Sequence, residues 1–405
     1  MRLKRAIIHI GPKKTGTSTI QDGLSRNRAA LARRGILYPG TSANHNSILL
    51  ASLCDDPSQY PRLRFRMEDP ELSGISELAQ ARFAAEIAES DWHTLILSAE
   101  TLYELRRPEI RKLQRWLEPL VDRFDIVATA RDPVDWAVSS AQQSFKSRDD
   151  LDGLLGEPEV PQWQRRIGHW EHVFGRRAVR MLCFEDLVAD PDGFTAAFLK
   201  AIHLQRMLDR LDLSVPRANE SLSWEAAMMM ATLNKRRPYF INEQRNIARS
   251  GRELSAFLGV AGQRFDLPDE TRRRAYDETR DDVAWLGARF GIDRYDYPPD
   301  RLPASRSPAG ISPEFMAQLG DRLADMANEL LINRNLLIIE RLRAKGRIDA
   351  AEFIRRKSLA KFPADKRFAA PLEAAPAEVT PPAAPAPVPS LRNGASRPAL
   401  VRSAT

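Results

Sequence analysis

The sequence predicts an α/β fold with a central parallel sheet and helices on both faces. Four short apolar runs alternate with segments of helical spacing, and this alternation is typical of parallel sheets. The runs are almost continuously apolar, as expected for strands that are covered on both faces. A chain of 405 residues, of which 43% are hydrophobic and 28% charged, is long enough to bury such a core.

The elements of this sheet follow in order along the chain. The predicted strands are Ala6 to Ile10, Thr94 to Ser98, Asp125 to Ala130 and Val179 to Phe184. A loop rich in Gly, Lys and Thr follows the first strand and leads into a helical pattern. After the third strand, Asp132 and Pro133 form a helix start, with Asp as the N-cap and Pro at the first helical position.

The second half of the chain is predicted to be helical. Helical patterns fill residues 219 to 290, and a long amphipathic helix is expected from Ser312 to about Arg356. After Phe362, nine of the 28 prolines occur together with many alanines, which predicts a disordered Pro/Ala-rich tail. We therefore expect a main domain over residues 1–300, a helical extension over 301–362 and a tail over 363–405. The long helix is a candidate surface for homo-oligomerisation.

Composition excludes several classes of protein. Two cysteines, Cys54 and Cys183, cannot form a disulfide framework, and both lie in apolar stretches. The apolar run near the amino end is too short for a signal peptide, and no run approaches the roughly 18 to 20 residues that span a bilayer. The net charge of +7 is compatible with an anionic ligand but too small to name a partner. We expect a cytoplasmic protein with no nucleic-acid partner and no transmembrane segment.

The strongest local signal is the segment IIHIGPKKTGTSTIQ, in which a buried strand runs through a loop into a helix. Unpaired N–H groups and the dipole at a helix N-terminus favour an anion, and glycines let the backbone approach phosphate oxygens closely. A Walker A loop would have lysine where Thr17 stands, so the usable lysine here precedes the second glycine. The candidate phosphate-binding residues are Lys13, Lys14, Thr15, Gly16, Thr17 and Ser18.

A second segment, ATARDPVDWAVSS, follows the third strand, with Ser139 eight residues after Arg131. A guanidinium presents a planar fork to phosphate, and a hydroxyl on the following helix can donate to another oxygen. Ser140 is the alternative hydroxyl, but only one of two adjacent helical residues can face the site well, and the spacing favours Ser139.

The order K-T-G-T-S after a strand, together with the Arg131/Ser139 pair, resembles the PAPS-dependent sulfotransferase family. PAPS is 3′-phosphoadenosine 5′-phosphosulfate. The resemblance covers roughly residues 1 to 295 and implies the P-loop NTPase-like sulfotransferase fold. It also implies that the loop holds the 5′-phosphosulfate and that Arg131 and Ser139 hold the 3′-phosphate. The segment RANESLS is similar to a loop of bacterial members, so Arg217 is a further candidate nucleotide contact.

Sulfuryl transfer to a hydroxyl needs a base for the acceptor proton and positive charge on the leaving oxygens, a role that suits Lys14. Two residues are candidate bases. Glu100 follows the second strand, where the family commonly has a His or Glu, and it could instead serve the next helix as an N-terminal acid. His45 lies among small polar residues. It is either a substrate contact or a solvated surface histidine.

These observations predict a sulfotransferase that moves a sulfuryl group from PAPS to a hydroxyl, without a metal. A carbohydrate or glycolipid acceptor is expected from the resemblance to bacterial-type members. Two alternatives stay open at this point: a P-loop-like kinase or NTPase, which Thr17 at the Walker lysine position disfavours, and a non-catalytic nucleotide-binding scaffold.

Overall fold

The structure is a computed structural model that describes residues 3–54, 77–147, 157–214, 222–238, 240–241, 244–246, 257, 262–306 and 312–371. The chain divides into two compact units, Met1–Arg322 and Leu323–Thr405. The predicted boundary at residue 300 thus lies inside the first of these units. Within the described residues, no helix is both long enough and apolar enough to cross a membrane.

The first unit contains a five-stranded parallel sheet, which confirms the predicted fold class. The strands are β1 (Arg5–Gly11), β2 (Ile36–Leu37), β3 (Thr94–Ser98), β4 (Arg123–Ala130) and β5 (Val179–Cys183), in the spatial order β2-β3-β1-β4-β5. β1 is therefore central, with β3 and β4 as its parallel neighbours. The carboxyl ends of these three strands meet at one edge of the sheet, where open α/β sheets bind ligands.

Both faces of the sheet are buried. Successive side chains of each strand point to opposite faces, and an apolar cluster covers each face. On β1, Ile8 and Ile10 pack into one apolar cluster and Ile7 into another. On β3, Leu97 belongs to the first cluster and Ile96 to the second. The near-continuous apolar character of the strands thus reflects helices on both sides, as predicted.

The helices of the first unit come between and after the strands. They are α1 (Thr17–Arg26), α2 (Arg28–Ala32), α3 (Asn46–Leu53), α4 (Glu77–Glu89), α5 (Arg107–Leu117), α6 (Pro133–Ser147), α7 (Trp163–Phe174), α8 (Phe184–Ala189), α9 (Phe194–Ala201), α10 (Trp224–Arg236), α11 (Asp269–Glu278) and α12 (Arg280–Phe290). The predicted helical region after residue 219 also contains a short antiparallel pair, β6 (Phe240–Ile241) with β7 (Gln244–Arg245). Two-residue strands are too short to show a hydrophobic period, so the sequence did not predict them or β2.

The long helix predicted from Ser312 is interrupted. It consists of α13 (Pro313–Ala344) and α14 (Ile348–Lys361). Between them Gly346 adopts a left-handed backbone with φ of 70°, and the Arg347 N–H donates to the Leu342 carbonyl. A glycine in this conformation closes a helix, because other residues adopt positive φ at a higher cost.

In the second unit, α13 and α14 share a small apolar cluster that includes Ile332, Ile339 and Ala351. Phe368, which lies beyond the predicted end of the helical extension at residue 362, is fully buried in the same cluster. The packed part of this unit therefore continues to at least Phe368. Residues 372–405, most of the predicted tail, lie outside the described residues.

Candidate active site at the carboxyl edge of the sheet

The loop between β1 and α1 has the backbone of an anion-binding turn. Lys14 and Gly16 both lie in the left-handed region, with φ of 64° and 78°. Gly16 is the N-cap of α1, and it offers no side-chain acceptor to the N–H groups of the first helical turn. The first turn also carries no acidic residue, and Ser18 in that turn is exposed. These N–H groups and the helix dipole can therefore serve an anion.

The two threonine hydroxyls of the loop are directed inward. Thr15 Oγ1 donates to the Pro12 carbonyl at 2.6 Å, and Thr17 Oγ1 donates to the same oxygen at 3.0 Å. Both side chains are buried. Their hydroxyl hydrogens thus stabilise the turn, so the contribution of Thr15 and Thr17 to a bound phosphate would come from their backbone N–H groups.

Each loop lysine contacts a different polar group. Lys13 Nζ lies 2.6 Å from Glu159 Oε2, whereas Lys14 Nζ donates to Gln143 Oε1 of α6 at 2.8 Å. Glu159 also accepts a hydrogen bond of 2.7 Å from the Ser140 hydroxyl. The ammonium of Lys13 is thus offset by a carboxylate that sequence analysis did not identify. Glu159 stands in an irregular segment before α7, where no pattern marked it.

The start of α6 holds the loop in place through two hydrogen bonds. Arg131 Nη1 donates to the Lys14 carbonyl at 2.9 Å, and Trp136 Nε1 donates to the Lys13 carbonyl at 2.8 Å. The Arg131 guanidinium also lies over the Phe184 ring, 4.7 Å from its centroid. The two segments singled out in the sequence therefore adjoin, with one positive charge from each beside the turn.

Asp132 is the N-cap of α6, as predicted. Its Oδ1 accepts from the N–H groups of Val134 and Asp135, both at 3.0 Å, while Oδ2 accepts from the Tyr297 hydroxyl at 3.0 Å. The Asp132 N–H in turn donates to Glu185 Oε1 at 3.0 Å. The Asp132 carboxylate therefore stabilises the junction between β4 and α6, next to Arg131.

Burial lowers the pKa of Arg131, and the carboxylates of Asp135, Glu185 and Asp132 oppose that shift. Arg131 nevertheless remains protonated, because the ordinary pKa of an arginine lies far above neutral pH. The junction thus presents a partly desolvated cation, whose attraction for an anion is stronger than in water.

The structure separates the two adjacent serines of α6. Ser140 is fully buried, and its hydroxyl donates to Glu159. Ser139 is half-buried on the same helix. Because Ser140 is engaged in the interior, the geometry leaves Ser139 as the better candidate for a ligand contact. Arg217, the remaining candidate, lies outside the described residues.

Glu100 begins a short 3-10 helix, Glu100–Glu104, directly after β3. Its backbone packs against the start of the loop: a Cβ placed on Gly11, which has φ of 87°, would lie 3.2 Å from the Glu100 Cα. Glu100 is half-buried. Glu100 thus stands at the end of the strand next to β1, beside the start of the candidate phosphate-binding loop.

His45 is fully enclosed rather than solvated. Its Nε2 donates to the Pro39 carbonyl at 2.9 Å, so the ring is neutral at Nδ1, which accepts from the Ser98 N–H at 3.1 Å. Burial lowers the pKa of His45 to about 4. With both nitrogens engaged, His45 links the end of β3 to the segment before α3. The surface-histidine interpretation is wrong, and a contact with substrate is not supported.

A second buried histidine, His9, was not identified from the sequence. It lies near the end of β1, where its Nδ1 is 2.8 Å from Ser98 Oγ, and burial lowers its pKa to about 3. His9 Nε2 has no hydrogen-bond partner within the part of the chain that the structure describes. His9 lies inside an apolar run, so the sequence pattern marked it only as a strand residue. In the same described ranges, no cluster of His, Cys, Asp or Glu could hold a metal ion.

Comparisons with known proteins add little to this site. No family model matches the chain, and no curated protein matches it. Among solved structures, the chain is similar to a sulfotransferase from Alicyclobacillus acidocaldarius, with a TM-score of 0.34 and 16% identity over 56% of this chain and 91% of that chain. A likeness of this size does not define a function.

Proposed function

We propose that this protein is a sulfotransferase that moves a sulfuryl group from PAPS to a hydroxyl of an acceptor. The observation that carries the proposal is the hydrogen bond of 2.9 Å from Arg131 to the Lys14 carbonyl. This bond connects the loop after β1, which is suited to one phosphate, with the end of β4, which carries the guanidinium of Arg131. A donor with phosphates at both its 5′ and 3′ positions matches two adjacent anion sites better than a donor with one phosphate chain.

The residues of the site suit such a donor. The first-turn N–H groups of α1 and the Lys14 ammonium would hold the 5′-phosphosulfate, together with Gly16 and Ser18 of the same turn. Arg131 and Ser139 would hold the 3′-phosphate. When bound, PAPS supplies an activated sulfuryl group, and Lys14 would stabilise negative charge on the leaving phosphate oxygens.

Glu100 is the base that the geometry favours. Glu100 follows β3 and its Cα and Cβ pack against Gly11 at the start of the loop, whereas both nitrogens of His45 are hydrogen-bonded in the interior. Glu100 would accept the proton of the acceptor hydroxyl as the new bond forms. The expected acceptor is a carbohydrate or glycolipid, a proposal that rests on the resemblance to bacterial-type members alone.

The deciding experiment is calorimetric binding of adenosine 3′,5′-bisphosphate, compared with ATP and magnesium. The wild-type protein should prefer the bisphosphate. Arg131→Ala and Lys14→Ala should each weaken its binding at least tenfold, which is about 1.4 kcal/mol. Arg115→Ala, which removes an exposed positive charge on α5, should leave the affinity unchanged.

Other outcomes would favour the alternatives. Preference for ATP with magnesium would overturn the sulfotransferase proposal in favour of a nucleotide kinase or NTPase. Binding of the bisphosphate without transfer from PAPS to any member of a saccharide and glycolipid panel would favour a non-catalytic scaffold. Where transfer is found, Glu100→Gln should lower kcat by at least a hundredfold with little change in donor affinity.

A further inference from the structure

A cavity of about 650 Å³ lies at the edge of the sheet opposite to the candidate active site. Its lining includes Arg5, Ile36 and Thr94, the first residues of β1, β2 and β3. The phosphate-binding loop follows the other end of β1. At roughly 3.3 Å per residue, six steps of β1 separate the two edges by about 20 Å. The cavity is therefore a separate place on the molecule.

The wall of this cavity is basic. Arg34 and Arg206 line it and are exposed. Neither guanidinium has an ion-pair partner among the described residues, and no acidic side chain of those residues lines the cavity. The two charges are thus available to a ligand.

A third arginine that lines the cavity, Arg5, is held by contacts with neighbouring residues. Its Nη2 donates to the Ile202 carbonyl at 3.1 Å, and its Nη1 lies 3.7 Å from Asp125 Oδ2. Asp125 also pairs with Arg123 at 2.7 Å and contacts Arg180 at 4.0 Å. One carboxylate therefore faces three guanidiniums, so this side of the cavity remains positive.

Part of the cavity lining is apolar, and its imidazoles are hydrogen-bonded. Ile36, Leu204 and Met207 line it and are buried. His93 Nε2 donates to the Arg34 carbonyl at 2.8 Å, and His203 Nε2 accepts from Arg180 at 3.1 Å. A lining that combines buried apolar side chains with exposed guanidiniums matches an organic anion with an apolar body.

We infer that this cavity binds a small phosphate monoester with an apolar or aromatic body. A phosphate monoester carries close to two negative charges at neutral pH, which matches the two guanidiniums that have no ion-pair partner among the described residues. The volume lies within the range of roughly 300–1,000 Å³ that holds small ligands. The inference does not depend on the proposed function, because Arg34 and Arg206 take no part in the phosphate-binding loop.

The test is calorimetric binding of 4-nitrophenyl phosphate to the full chain, carried out in a Lys14→Ala background to weaken the loop site. Addition of Arg34→Gln and Arg206→Gln together should weaken binding at least tenfold. The matched control is Arg33→Gln with Arg210→Gln, which removes two exposed charges that do not line the cavity. This control should stay within twofold, and the monoanion 4-nitrophenyl sulfate should bind more weakly than the phosphate.

Three results would overturn the inference. One is no binding of the phosphate in the Lys14→Ala background while the wild-type protein binds it, which would place the probe in the loop. Another is an equal loss in the control, which would indicate attraction by overall charge. The third is unchanged affinity in the Arg34→Gln/Arg206→Gln variant. Unfolding followed by tryptophan fluorescence would verify that each variant is folded.

Discussion

Arg131 donates a hydrogen bond of 2.9 Å to the carbonyl oxygen of Lys14, although the two residues are 117 positions apart. The contact exists because β1 and β4 are parallel neighbours, so that the segments after them leave the same edge of the sheet. Arg131 would therefore have two effects on an anion bound at this edge. It would supply positive charge, and it would position the loop that carries the other charge.

Trp136→Phe should separate these two effects. The change removes the 2.8 Å hydrogen bond to the Lys13 carbonyl and leaves the Arg131 charge in place. A lost hydrogen bond of this kind costs about 1 kcal/mol of stability. We expect calorimetry to give an affinity for adenosine 3′,5′-bisphosphate within threefold of wild type. A loss as large as that in Arg131→Ala would mean that Arg131 acts by positioning the loop rather than by binding phosphate.

Glu159→Gln should make the positive charge of Lys13 more available to a ligand. Glu159 Oε2 is mostly buried and accepts from both Lys13, at 2.6 Å, and Ser140, at 2.7 Å, so an amide oxygen in its place keeps an acceptor for both but removes the negative charge. We expect the free energy of unfolding to fall by about 1–2 kcal/mol, because the hydrogen bond to the ammonium is no longer one between opposite charges. Bisphosphate affinity should rise a few-fold at low salt and less at high salt. Lys13→Gln is the comparison, and a rise in affinity there too would contradict this role of Glu159.

Gly16→Ala tests why glycine stands at the start of α1. Gly16 has φ of 78°, and an added Cβ would lie 2.2 Å from the Phe194 ring. The positive φ alone costs roughly 1–2 kcal/mol, and the contact with the ring adds to it. In a double-mutant cycle measured by urea unfolding, Gly16→Ala should destabilise less in a Phe194→Ala background. Equal losses in both backgrounds would show that the ring yields without cost.

The sequence predicts the frame of this site better than its details. The strand Thr94–Ser98 has the predicted bounds, and parallel pairing with β1 follows from the alternation of strands and helices. The contact between Lys13 and Glu159 spans 146 residues and ends in an irregular segment. No periodicity or capping pattern marks such a partner, since tertiary packing alone brings it to the loop.

The same limit applies to side-chain direction within a correctly predicted motif. Thr15 and Thr17 stand where hydroxyls could contact phosphate, but both donate to Pro12. His45 stands among small polar residues, but packing against Tyr38 and Phe83 makes it an interior residue. Histidine is intermediate in burial and threonine is mostly exposed in folded proteins, so neither residue type indicates that these side chains are interior; the elements that pack around them decide it.

Stability should fall as the pH decreases from 6.5 toward 4. Burial lowers the pKa of His9 to about 3 and of His45 to about 4, from an ordinary value of 6.5. Below pH 6.5 the unfolded chain therefore binds protons that the folded chain does not. The stabilisation from the neutral rings is complete above pH 6.5 and is lost progressively as the pH falls toward the folded values. Each histidine contributes a slope of up to about 1.4 kcal/mol per pH unit.

Urea unfolding between pH 5 and 7, followed by tryptophan fluorescence, measures this slope in the first unit, which contains all seven tryptophans. His45→Gln should make the dependence shallower by about one proton. His172→Gln, a change at an exposed histidine, should leave the slope unchanged. A wild-type free energy of unfolding that does not change over this range would contradict the predicted neutrality of both buried rings.

The exposed face of α13 predicts self-association of the chain. Leu323, Met326, Leu330 and Leu337 recur at helical spacing and are 55%, 42%, 71% and 46% exposed. Ile332 and Ile339, on the opposite face, pack with α14. These four exposed side chains form an apolar stripe that extends for about 21 Å along the helix, at 1.5 Å per residue. Three-and-four spacing of this kind suits a second copy of the same helix, because the two stripes can interdigitate.

We therefore expect the full chain to sediment as a dimer at micromolar concentration. Leu330→Glu should shift it to monomer, because pairing would bury two carboxylates among leucines. Asn328→Glu adds the same charge two residues earlier, on the opposite side of α13, and should leave the dimer intact. Since Leu330 is exposed, its substitution should leave the unfolding of the monomer unchanged, so a lost dimer cannot be attributed to misfolding. A monomeric wild-type chain, or equal dissociation by both variants, would rule out this face of α13 as the contact.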